Sequence, residues 1–170
     1  MIKPIEQSDR PIDPGVRIGH VHLKTADIQR IYDFYVGILG FDVVMRMGDQ
    51  ALFIAAGGYH HTLAFNTWES KDGTPPPPGT TGLYHVAILY PTRASLGDAL
   101  HRLIQANYPL DGVNDHGTHE ALYLTDPDGN GLELCWDRDE KEWPVDNDGH
   151  MAHSGRQLDI DGLLEAGKTL

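Results

Sequence analysis

Asp126-Pro127-Asp128-Gly129-Asn130-Gly131-Leu132-Glu133-Leu134-Cys135-Trp136 reads as a tight turn running into a strand. Pro127 presets a turn dihedral, and Gly129-Asn130 suits the positive φ that hairpin turns need. The strand after it is apolar apart from Glu133. A carboxylate in an apolar strand is costly to bury without a cation. An Arg or Lys partner, or a strand face open to water, would satisfy it. Histidines on other strands offer a third answer.

The chain before this turn reads as two similar halves. Val16 to Leu23 alternates like a strand, with Ile18, His20 and His22 on one face. Asp27 can cap a helix whose apolar residues Ile28, Ile31, Tyr32, Phe34, Tyr35 and Ile38 recur at helical spacing, with Gly40 as its stop. Strands are expected at 41–47, 50–56 and 59–66, with His60 and His61 on opposite faces of the last. After a proline-rich connector the order recurs. Leu83 to Leu89 is a strand carrying His85. Thr92 or Ser95 caps a helix through Leu96, Leu100, Leu103 and Ile104. Strands follow near 110–114, at 120–125 and through Glu133. Gly19-His20-Val21 aligns with Tyr84-His85-Val86, a coherent internal duplication.

The expected fold class is therefore α+β, with two tandem βαβββ modules forming a curled mixed sheet around a metal cavity. The expected divisions are an N-terminal arm at 1–15 and one domain at 16–138. Within the domain, module one is 16–69, the linker 70–81 and module two 82–138. A polar tail follows at 139–170, in which Trp143-Pro144 packs back on the body, Leu158 to Leu164 forms a short helix, and His150 and His153 lie in water.

Composition narrows the class. The 170 residues suit one domain, or one built of two small halves. A net charge of −12 argues against nucleic acid and against an anionic membrane surface. Cys135 is the only cysteine, which points to a reducing compartment. No signal peptide and no run long enough to span a bilayer is evident, so a cytoplasmic protein is expected. Ten histidines is a high count. If the two sheets curl together, His20, His85 and Glu133 meet at one cavity. Two imidazoles and one carboxylate suit Fe(II) with open positions for substrate and dioxygen.

At these residues the chain resembles the vicinal oxygen chelate superfamily of glyoxalases, bleomycin-resistance proteins and extradiol dioxygenases. The likeness rests on Gly19-His20-Val21, Phe34-Tyr35 with Leu39-Gly40-Phe41, Tyr84-His85-Val86 and Asp126 to Glu133. It implies a divalent metal on His20, His85 and Glu133, with His22 as the alternative first-strand ligand. Within the superfamily the chain looks most like the catechol 2,3-dioxygenases. That likeness implies Fe(II), with Mn, Zn or Ni as alternatives, and a small aromatic diol and dioxygen as reactants. It carries the acid–base histidine onto His61, the substrate-bonding tyrosine onto Tyr123 and a further active-site histidine onto His116. His60 is then structural, and a homodimer is expected by analogy. A glyoxalase-like lyase, isomerase or thiol transferase is the alternative, as is a metal-free binding protein. A glyoxalase-type site wants a fourth ligand, often Glu, on the last strand of half one, and that strand has no carboxylate.

Overall fold

The computed structural model describes residues 2–152 and 154–170. Asp27 accepts from the Gln29 and Arg30 amides and starts α1, Ile28–Tyr32. A π-helical stretch over Asp33–Ile38 continues it and turns Phe34 and Tyr35 inward. Gly40 then reverses the chain at φ 85°, in a conformation that costs other residues a steric clash. The Arg102 guanidinium lies against Gly40, where a β-carbon would meet it.

Four strands complete the first module: β1 (Val21–Lys24), β2 (Asp42–Met47), β3 (Ala51–Ala55) and β4 (Leu63–Asn66). Their order in the sheet is β1-β4-β3-β2. The second module has β5 (Val86–Leu89), α2 (Arg93–Gln105), β6 (Gly112–Asp115), β7 (His119–Thr125) and β8 (Gly131–Asp137). Its sheet has the same order, β5-β8-β7-β6. Thr92 caps α2, and Ser95 returns the bond in a capping box. Each module is βαβββ, and the molecule is α+β with two four-stranded mixed sheets; among the described residues there is no closed barrel.

Several expected strands are shorter in the structure. β1 begins at Val21, β4 at Leu63 and β5 at Val86. His20, His60, His61 and His85 therefore lie in the approaches to strands. The alternation that was to separate His60 from His61 does not operate there. Their Nδ1 atoms are 2.9 Å apart, so the expectation that they face opposite ways is corrected. Asn130 is not among the residues with positive φ; Gly129 alone supplies it in the turn, at φ 85°.

The Asp126–Asn130 turn ties the modules together. Asp126 is buried. Its Oδ1 accepts from the amides of Asp128 and Asn130, both at 2.9 Å. Its Oδ2 accepts from the Tyr35 hydroxyl of the first module at 3.0 Å. Asp128 reaches the same module through Arg30 and the Thr25 hydroxyl. One apolar core continues across both halves, from Ile31, Phe34 and Phe65 to Leu103, Leu122 and Leu134.

The tail is part of that body. Leu158 and Leu163 are buried in the core. The helix α3 spans Ile160–Gly167. It crosses α2 where Gly97 meets Gly167, and a β-carbon on Gly97 would come within 2.3 Å of the Leu163 carbonyl. Trp143 packs back as expected, donating from Nε1 to the Arg138 carbonyl at 3.0 Å. His150 is only partly exposed and lies 3.5 Å from Asp146, which corrects its placement in open water. His153 lies outside the described residues. Among the described residues, no helix is long and apolar enough to cross a membrane.

Candidate functional site

Strand pairing puts the chemistry of module two on one sheet face. β5 and β8 run parallel with Ala87 opposite Glu133. β7 and β8 run antiparallel with Tyr123 opposite Glu133. Gly131 opens room for His85, since a β-carbon there would meet the Tyr84 carbonyl at 2.2 Å and the His85 β-carbon at 3.2 Å.

Glu133 is 6% exposed, and donors surround it. His85 Nε2 is 2.9 Å from Oε2. On the other oxygen, Oε1, Tyr123 donates its hydroxyl at 3.0 Å and His119 approaches with Nε2 at 3.0 Å. His116 Nε2 lies 2.7 Å from the Tyr123 hydroxyl. That hydroxyl already donates to Glu133, so it accepts from His116. The buried carboxylate of the apolar strand is thus satisfied by imidazoles and a phenol, without Lys or Arg. Burial and the neighbouring carboxylate push the Tyr123 hydroxyl well above its usual range. Tyr123 is a protonated donor throughout the neutral range.

Module one contributes a second histidine group. The His20 and His61 rings are 4.4 Å apart. Phe53 stands edge-on to His61 at 5.3 Å. Desolvation lowers the His61 pKa, and the charges of His20 and His60 act in the same direction. Both effects favour the neutral form of the His61 imidazole. His22, two residues into β1, accepts from Asn66 Nδ2 at 2.8 Å and lies edge-on to Trp68.

The register also shows where the duplication stops. His20 precedes Val21, which pairs with Leu63, as His85 precedes Val86, which pairs with Leu132. At the module-one equivalent of the Tyr123–Glu133 pair stand Phe53 and Ala64. Only module two carries the carboxylate and the phenol. His20 and His85 both line one cavity of about 560 Å³, walled by apolar side chains such as Val21, Leu63, Leu83 and Leu89.

The structure brings His85, Glu133, Tyr123 and His116 into one bonded group. It puts His20 and His61 together in a second group, joined to His85 by the shared cavity. His119 was missed by sequence reasoning. The strand was expected to begin at Glu120, which left His119 in a loop. His116, His119 and Glu133 also converge closely enough that their donor atoms could hold an ion. The donor set of imidazoles and a carboxylate fits a divalent transition metal.

Paired βαβββ modules, with a histidine from each lining one cavity, are the architecture of the vicinal-oxygen-chelate class. The chain belongs to the glyoxalase/bleomycin resistance protein/dioxygenase superfamily, whose model matches residues 17–134. It is 38% identical over 154 residues to catechol-2,3-dioxygenase of Bacillus subtilis (strain 168), covering 91% of this chain and 53% of that protein. It is 30% identical over 122 residues to biphenyl-2,3-diol 1,2-dioxygenase 3 of Rhodococcus globerulus, covering 69% of this chain and 62% of that one. The chain thus spans about half to three fifths of these relatives' length. A lactoylglutathione lyase from Agrobacterium tumefaciens shares the fold, with a TM-score of 0.58 and 21% identity over 73% of this chain and 96% of that one.

Proposed function

We propose that this protein is a non-haem Fe(II) extradiol dioxygenase that cleaves a small aromatic diol with dioxygen, and that His20, His85 and Glu133 hold the metal. The observation that carries the reading is the Glu133 carboxylate, buried in an apolar strand with His85 Nε2 at 2.9 Å. A metal bound there would act as a template and Lewis acid for the diol and dioxygen. His20 is favoured over His22 because His20 lines the cavity with His85, while His22 is bonded to Asn66.

The chain's own residues supply proton handling and orientation. His61, beside His20, would take a phenolic proton from a diol and later return it. Tyr123 presents a protonated hydroxyl at the carboxylate, and His116 orients it through Nε2. The apolar cavity walls suit an aromatic ring. The last strand of module one has Ala64 at the counterpart of Glu133 and no carboxylate to serve as the fourth ligand of a glyoxalase-type site, which favours ring cleavage over lyase chemistry. The similarity to catechol-2,3-dioxygenase supports the same choice. A homodimer is part of this reading; the strand β2 leaves Val43, Val44, Met45 and Met47 exposed along one sheet edge.

Anaerobic loading with Fe(II), followed by catechol and then air, tests the proposal. Oxygen uptake with a yellow ring-opened product is expected, and His85→Ala abolishes both. Tight metal binding without uptake across several catechols would overturn the dioxygenase reading in favour of a non-oxidative metalloenzyme.

A further inference from the structure

We propose that His119 is a positioning residue that holds Oε1 of Glu133 and so leaves Oε2 as the oxygen offered to the metal. This rests on the metal reading above and adds a residue to it. The two oxygens of Glu133 have different surroundings. Oε2 has His85 at 2.9 Å. Oε1 has two donors, Tyr123 and His119, each at 3.0 Å.

His119 is itself fixed on three sides. A carboxylate oxygen can only accept, so His119 Nε2 is the protonated nitrogen. Its Nδ1 then accepts from the Thr118 hydroxyl at 2.8 Å. Its ring stacks on His116 with centroids 4.6 Å apart and planes 26° from parallel. The carboxylate thus fixes the tautomer, the Thr118 hydroxyl anchors Nδ1, the stack holds the ring plane, and the imidazole in turn holds the carboxylate. A carboxylate held by one oxygen is presented to an ion by the other. Groups that orient metal ligands in this way typically contribute about 10–100-fold to metal affinity.

The alternative is that His119 coordinates the ion directly, with His116 and Glu133. Glutamine separates the two roles. Its amide can donate to a carboxylate as Nε2–H does, but it is a poor substitute for an imidazole ligand.

The test uses the full chain and Co(II), with affinity read by competition against a chromophoric chelator and coordination read from the visible spectrum. Wild type, His119→Leu, His119→Gln, His85→Ala and Glu133→Ala are compared. Positioning predicts that His119→Leu loses about 10–100-fold in affinity with an altered spectrum, while His119→Gln stays near wild type. If His119→Leu matches wild type while His85→Ala and Glu133→Ala lose the ion, the role of His119 is overturned and the metal reading stands. If His119→Gln loses the ion as fully as His119→Leu, His119 is a ligand and positioning is overturned. If Glu133→Ala binds like wild type, both readings fall. Should His119→Leu not fold, Thr118→Val removes only the hydroxyl that anchors His119 Nδ1. A severalfold loss of affinity then supports positioning, and wild-type affinity overturns it.

Discussion

Tyr35 and Asp126 show how much a single buried bond decides here. The Tyr35 hydroxyl donates to Asp126 at 3.0 Å, and burial with the nearby carboxylate pushes its pKa far above the usual value. Tyr35→Phe removes a bond to a charged acceptor but leaves Asp126 its partners within the turn. The expected loss is about 1–2 kcal/mol, read from urea unfolding. Cys135 is buried beside Glu133, and desolvation pushes its thiol up to about 12. Folded protein is therefore expected to resist Ellman's reagent at pH 8 and to react fully when unfolded. The sign of the linked stability follows. The folded thiol pKa lies above the unfolded one, so this contribution is complete below about pH 8.5 and is lost as pH rises towards 12. Unfolding midpoints measured from pH 8 to 11 check it.

At the level of elements, two glycines set close approaches that no other residue allows. Gly131 lets β5 and β8 come together beside His85, with the Tyr84 carbonyl where a β-carbon would stand. Gly131→Ala must push that backbone away. It is expected to cost about 1–3 kcal/mol and to weaken metal binding through the shifted His85. Thermal unfolding and Co(II) titration of the same variant measure the two effects. Gly97 plays the corresponding part between α2 and α3, where the Leu163 carbonyl and the Gly167 backbone crowd it. Gly97→Val is expected to undock α3, seen as faster amide exchange over Ile160–Gly167 with the sheets still protected.

The whole molecule depends on segments distant in the chain. Leu158 and Leu163 lie beyond the repeated modules yet are buried in the common core. A chain ending at residue 138 would expose the core surface they cover, including the face of α2 under α3. Two fully buried leucines represent on the order of 3–5 kcal/mol, and a loss of that size in denaturant unfolding is expected. The modules are joined to each other by Tyr35–Asp126 and by Asp128 with Arg30 and Thr25. The turn that identifies the second module is also the clasp that holds it to the first.

Much of this was legible in the residues. Period-two and helical patterns gave two βαβββ units because burial of one face imposes those periods directly. The turn from Asp126 to Asn130 and the caps at Asp27 and Thr92 were readable because their bonds are local. The site was only partly readable. His85 and Glu133 could be set on the first and last strands of the second half, and the structure has them 2.9 Å apart. His119 could not be found, because its link to Glu133 runs across a β7–β8 register that sequence does not state. The contact of His60 with His61 was misread, because alternation holds only inside a strand and β4 starts after them. Sequence by itself determined which segments bury a face and where the chain turns, since those follow from neighbouring residues. Tertiary structure alone decided which imidazoles reach the carboxylate and how the tail enters the core, since those depend on register and packing between residues far apart in the chain.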